Sequence, residues 1–97
     1  MMQKNILIKM TSIITQKNGL DTADLDGEAV MMDMDRGKYY NFNIVGSRIW
    51  QLIEKPISIR EIVDELLKEF DIDQETCEAA VMKFVDRLVD DELVKIA

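Results

Sequence analysis

Ninety-seven residues, with 12 Lys and Arg against 19 Asp and Glu, carry a formal net charge of -7. This length makes one domain, residues 1–97, and a 47% hydrophobic content suffices for a single core without staples. The acidic balance opposes nucleic acid and anionic membrane surfaces as partners, because both require clustered Lys and Arg.

Residues 1–9 hold an apolar run too short for a secretory signal, and the sequence leaves open whether they are ordered or a flexible lead-in. No stretch approaches the ~20 apolar residues of a membrane span. With Cys77 as the single cysteine, a reducing cytoplasm is the expected setting. The β-branched residues between Ile6 and Thr15 predict a strand around Met10–Gln16. Lys17–Asp26 is polar and turn-like, and predicts a loop anchored by Leu20 and Leu25. Glu28–Met34 and Lys38–Phe42 alternate on either side of a tight Asp35-Arg36-Gly37-Lys38 turn. They predict a β-hairpin, with Gly37 supplying a positive φ.

The second hairpin strand runs straight into a helix. Asn43 stands where an N-cap is needed, and the first helix is expected over Ile44–Ile53. Gly46 in its first turn costs about 1 kcal/mol against Ala, which implies the close approach of another backbone. Pro56 enforces the stop. Ser58-Ile59-Arg60-Glu61 is a capping box for a second helix, whose Ile59, Ile62, Val63, Leu66, Leu67 and Phe70 follow helical spacing. Asp73 caps a third helix with Cys77, Ala80, Val81, Phe84 and Leu88 on one stripe. Met82, Val85 and Val89 widen that stripe beyond the ~100° a core-facing helix needs. The surplus is either a second contact surface or a deeper core. Leu93-Val94-Lys95-Ile96 is a short terminal strand or a chain end packing back. The expected fold is α+β and winged helix-turn-helix-like: a three-stranded antiparallel sheet followed by three helices.

Catalytic chemistry is missing from the sequence. With no histidine, the usual general base and the commonest metal ligand are absent. One cysteine cannot form a thiolate metal site, and no glycine-rich phosphate loop occurs. Asp33, Asp35, Asp71 and Asp73 sit at turns and caps, and Ser12, Ser47 and Ser58 have no activating base. The expectation is a non-enzyme that binds neither cofactor nor metal. A sheet feeding directly into helices suggests a binding module that works through its exposed strand edge. A winged-helix transcription regulator is the rival. Its recognition helix should be basic, yet Glu75, Glu78, Asp86, Asp90 and Asp91 outnumber Lys83 and Arg87.

Leu25-Asp26-Gly27-Glu28 through the hairpin, then Tyr40-Asn41-Phe42-Asn43-Ile44-Val45-Gly46-Ser47-Arg48-Ile49-Trp50, resembles the PqqD family. So do Ile62-Val63-Asp64-Glu65-Leu66 and Val81-Met82-Lys83-Phe84-Val85-Asp86-Arg87-Leu88. These are recognition elements for ribosomally made, post-translationally modified peptides. The match looks most like the stand-alone members of lasso-peptide clusters. The chain departs from the family pattern at Ala80, where an acidic residue is common, and at Glu92, where a glycine is usual.

The resemblance implies a peptide-binding adaptor. A precursor's leader segment would add as a strand along Lys38, Tyr39, Tyr40, Asn41 and Phe42, over a groove formed with the third helix. Helical-wheel position gives Glu78, Val81, Met82, Val85, Asp86 and Val89 as lining candidates. Tyr39 and Asn41 are expected outward, with Tyr40 and Phe42 in step with the core. The implied partners are the leader peptide and a modifying enzyme, a leader-cleaving protease in a lasso system. A PqqD-type chaperone serving a radical enzyme is the alternative. An open strand edge also allows a homodimer.

Overall fold

The structure is a computed structural model that describes residues 8–97. The expectation for residues 1–9 falls largely outside them. In chain order come β1 (Ile13–Gln16), β2 (Leu20–Leu25), β3 (Glu28–Asp33), β4 (Lys38–Asn41), α1 (Ile44–Leu52), β5 (Ile57–Ser58), α2 (Ile59–Glu69), α3 (Gln74–Asp90) and β6 (Val94–Ile96). The fold is α+β, with two three-stranded antiparallel sheets and three helices.

The expected single sheet is thus corrected. β1 does not join the hairpin. It pairs Ile13 with Ser58 and Ile14 with Ile57 on one side, and Ile14 with Ile96 through Gln16 with Val94 on the other. The hairpin's third strand is instead β2, drawn from the segment expected to be a loop. Its register runs from Leu20 opposite Asp33 to Leu25 opposite Glu28. The β2–β3 connection is the two residues Asp26 and Gly27, with φ of 56° and 87°. Both lie in the left-handed region that a type I′ turn requires. β3 then pairs with β4, from Val30 opposite Asn41 to Asp33 opposite Lys38. The sheet order β2-β3-β4 leaves β4 as an edge.

The helices begin where their caps dictate. Asn43 Oδ1 accepts from Gly46 N–H at 2.8 Å, Ser58 and Glu61 form the reciprocal capping box, and Asp73 Oδ2 accepts from Thr76 N–H at 3.1 Å. The end of α1 is satisfied by β1. Gln16 Nε2 donates to Trp50 O at 2.7 Å, and Gln16 N–H donates to Ile53 O at 2.9 Å. The core gathers Ile14, Met31, Ile49, Ile53, Ile59, Ile62, Val63, Leu66, Cys77, Val81, Val85 and Leu93, all at 0–1% exposure. Burial raises the Cys77 thiol pKa, as befits a small core residue rather than a nucleophile.

The C-terminus of α3 explains the departure at Glu92. Leu93 N–H donates to Leu88 O at 2.9 Å and Glu92 N–H to Val89 O at 3.0 Å, the paired bonds of a Schellman ending. The residue in that turn must adopt a left-handed backbone, and Glu92 does so at φ 58°. A Cβ there is strained, which is why glycine is preferred. Glu92→Gly should therefore stabilise the fold by about 1 kcal/mol. The 3.8 Å Arg36–Glu92 pair it removes is exposed on the Glu92 side and offsets little. Urea denaturation would register a raised midpoint with unchanged slope, and a lowered midpoint would contradict the strain argument.

Candidate functional site

β4 and α3 together frame a groove of about 280 Å³. Its strand wall is Tyr39 to Asn43, and its helix wall is Phe84, Arg87, Leu88 and Asp91, with Leu93 beyond. On β4 the side chains alternate as expected: Tyr39 is 61% exposed and Asn41 is exposed, whereas Phe42 is 8% exposed and Tyr40 half-buried. Phe42 N–H donates to Ala29 O at 2.9 Å. By antiparallel alternation, the N–H and C=O groups of Tyr39 and Asn41 then point away from β3, toward the open edge.

The helix wall differs from the expectation. Glu78, Val81, Met82, Val85, Asp86 and Val89 do not line this groove. Val81 and Val85 are fully buried, Val89 is 8% exposed in the same core, and Met82 packs half-buried against it. Glu78 accepts a hydrogen bond from Gln74 at 2.9 Å on its own helix, and Asp86 is exposed on another face. The widened stripe was a deeper core. The groove lies on the opposite flank, at Phe84, Arg87 and Asp91.

Phe84 gains its place from the strand and from α1. Its ring meets Phe42 edge-on at 5.3 Å, and Phe42 in turn meets Trp50 at 5.7 Å. Such aromatic pairs add about 0.5–1.5 kcal/mol each beyond the area they bury. The close approach at Gly46 is to this side chain rather than to a backbone. A Cβ on Gly46 would lie 3.1 Å from the Phe84 ring and 3.2 Å from Asn43 Oδ1.

One end of the groove is polar. Arg36, on the β3–β4 turn, donates to Asp91 O at 2.5 Å and reaches Glu92 at 3.8 Å, clasping the turn to the end of α3. The Tyr40 hydroxyl is buried there without a hydrogen-bond partner. Burial, reinforced by Asp91, raises its pKa. On the neighbouring strand Asp33 is fully buried, and its Oδ2 accepts from Lys17 Nζ at 3.0 Å. The hydrogen bond from Lys17 lowers the Asp33 pKa against the opposing effect of burial. Among the described residues, no cluster of His, Cys, Asp and Glu is arranged to hold a metal ion, and no helix is long and apolar enough to cross a membrane.

The family model for coenzyme PQQ synthesis protein D (PqqD) matches residues 28–94. Among solved structures, TbiB1 in complex with the TbiA(beta) leader peptide superposes with a TM-score of 0.77 at 32% identity, covering 84% of this chain and 94% of that one. A lasso peptide synthetase B1 complexed with its leader peptide gives a TM-score of 0.74 at 18% identity, covering 84% and 96%. At that identity the second likeness speaks for the fold. No curated protein gives a significant match.

The Lys17–Asp33 pair makes a pH prediction. A carboxylate with a lowered folded pKa contributes stability above its unfolded value, about 4, and loses it as pH falls through the folded value. Lys17→Met removes the largest influence that lowers the Asp33 pKa and leaves burial, which raises it, opposed by the smaller effects of the Arg36 backbone N–H and charge. Thermal melts between neutral and acidic pH should show the variant losing stability at a higher pH than the wild type. Superimposable pH profiles would contradict the pairing. The orphaned Tyr40 hydroxyl makes a second. Tyr40→Phe removes an unsatisfied group and should leave stability unchanged or raised by up to about 1 kcal/mol in the same melts, whereas a clear loss would mean the hydroxyl is bonded.

Proposed function

The chain belongs to the PqqD family, and from that premise we propose that it is a non-catalytic adaptor binding the leader segment of a ribosomal precursor peptide. The leader adds as a strand to the open edge of β4, with its side chains over the groove beside α3. The observation that carries this reading is an edge strand with outward backbone groups at Tyr39 and Asn41, lying beside a groove of about 280 Å³. Backbone pairing supplies affinity and register, and the groove reads alternate side chains. The likeness to TbiB1, solved in complex with the TbiA(beta) leader peptide, supports leader binding.

The site is then Lys38, Tyr39, Tyr40, Asn41 and Phe42 on the strand, joined by Phe84, Arg87, Leu88 and Asp91. The adaptor works in the cytoplasm as one recognition domain and performs no chemistry. It raises the effective concentration of the precursor at a modifying enzyme, a leader-cleaving protease in a lasso-peptide system. A chaperone for a radical enzyme is the second reading, favoured by the family model's own description as a coenzyme synthesis protein. The 32% identity to TbiB1, solved with a leader peptide, favours leader recognition, and the sequence motifs that look most like the lasso-peptide members favour that setting. A transcription regulator is disfavoured by the acidic exposed residues of α3.

The test is a titration of labelled leader peptides, from precursors encoded beside the gene, against wild type and Asn41→Pro. Proline at 41 deletes an outward donor on an edge strand and leaves the β3 ladder its bonds. Wild type should bind saturably. Asn41→Pro should lose affinity roughly tenfold, the equivalent of one good hydrogen bond, with its circular dichroism unchanged. Equal affinities would move the peptide off this edge, and an absence of binding to any neighbouring leader would end the lasso assignment.

A further inference from the structure

Two charged side chains line the groove, Arg87 and Asp91, and they are not equivalent. Arg36 Nη1 donates to Asp91 O at 2.5 Å, so a guanidinium already stands against residue 91. Arg87 is exposed and has no carboxylate within ion-pair distance among the described residues. By contrast, Lys17, Arg36, Arg48 and Lys68 each reach a carboxylate oxygen within 3.8 Å. A basic residue in the last turn of α3 suits the helix dipole from any face of the helix. This one lies on the groove wall, in a chain of net charge -7. On the strand wall, Lys38 shares the inward side of β4 with Tyr40 and Phe42 by alternation, and it too is exposed and unpaired.

The directions of the elements set what meets Arg87. Phe84 contacts Phe42, and seven residues later Asp91 is clasped to the turn before Lys38, so α3 runs antiparallel to β4 here. Both pairings within the sheet are antiparallel. A strand added to β4 in the same manner runs along α3, and its groove-facing residues recur every ~6.8 Å. Measured along the helix axis from Phe84, Arg87 lies about 4.5 Å on and Asp91 about 10.5 Å on. A residue seated over Phe84 is therefore followed, two positions later, by one that falls between Arg87 and Asp91. An apolar side chain suits the first position. At the second, a carboxylate gains a charge-assisted donor in Arg87 with Lys38 behind it, whereas an ammonium would find residue 91 already faced by Arg36.

We propose that Arg87 is a specificity-determining residue, which receives the carboxylate of an Asp or Glu two residues C-terminal to the leader's apolar anchor. The substrate class is then a leader that carries an apolar-x-acidic order. The rest of this acidic chain repels such a residue, so Arg87 decides whether the groove accepts it. The inference rests on the leader-binding reading above.

The probe is the synthetic leader peptide of the precursor encoded beside the gene, with each Asp and Glu replaced in turn by Ala and by Lys. It is titrated against wild type, Arg87→Gln and Arg87→Glu, whose melting curves should lie close to wild type because position 87 is exposed. One acidic residue, two places after an apolar residue that binding also needs, should lose roughly tenfold in affinity on replacement by Ala, and Arg87→Gln should lose as much. The two losses should not add when combined, as is required of residues in contact. Lys at that leader position should bind Arg87→Glu at least about fivefold more tightly than it binds wild type, a reversal that a purely structural role of Arg87 does not produce. Saturable leader binding with additive losses at every acidic residue, or by a leader with no acidic residue in that order, overturns the proposal and leaves the leader site standing. Coupling of a leader Lys or Arg to Asp91→Asn, with none to Arg87, overturns it in favour of the opposite polarity. Absence of leader binding to wild type removes the leader-binding reading and this one with it.

Discussion

The Ser47 hydroxyl sits where this fold changes from sheet to helix. The last rung between β3 and β4 is closed on one side by Phe42 N–H donating to Ala29 O at 2.9 Å. On the other side Ser47 Oγ accepts from Ala29 N–H at 2.5 Å and donates to Phe42 O at 3.2 Å. The chain leaves the sheet here, and the hydroxyl bridges the opening rung. Ser47 is 3% exposed, so without it two backbone groups would be buried unpaired, at about 1–3 kcal/mol for each. Asn43 caps α1 two residues after β4 ends, so no slack remains between strand and helix. The position of α1 against the strand edge follows from this junction.

From there the aromatic contacts assemble in order. Phe42 enters the core as the last inward residue of the strand, Trp50 meets it from α1, and Phe84 meets it from α3. The absence of a side chain at Gly46 is what lets Phe84 lie this close. The groove floor is therefore fixed by residues from three elements that touch before any ligand arrives. A preformed floor spares a peptide part of the ordering cost that limits binding by flexible surfaces. The Arg36 clasp acts at the other end, tying the hairpin turn to the last turn of α3 so that the two groove walls share a boundary.

What the sequence disclosed was what local chemistry decides. The Asn43, Ser58 and Asp73 caps, the β3–β4 hairpin and the alternation of Tyr39 through Phe42 are all set by neighbours a few residues away. β2 was hidden because five of its six residues are exposed, so no hydrophobic alternation marks it. Its one signal was Asp26-Gly27, a two-residue turn between strand-length segments. β1 was assigned to the wrong sheet because its partners, β5 and β6, are two and three residues long and distant in the chain. The flank of α3 was misread for a related reason. A stripe running from Cys77 to Val89 says that one side is buried, but the packing of α2 decides which edge of it closes. Val81 and Val85 went to the core, and the partly buried Phe84 became the groove wall.

The dimensions of this groove limit what it can read. β4 is four residues long, which corresponds to roughly 13 Å of extended chain. Beyond it, Asn43 begins a helix, and at the other end the Schellman turn closes α3 and returns the chain into β6. A peptide strand paired along this edge can place only two or three side chains toward α3, because alternate residues face away. One of those positions is apolar, over Phe84 and Leu88. Another would meet Arg87 and Asp91. Most of the affinity must then come from backbone pairing, which carries no sequence information, and selectivity rests on this one apolar and one polar contact. An adaptor working as proposed would tolerate much variation in its peptide while holding the register of what it binds.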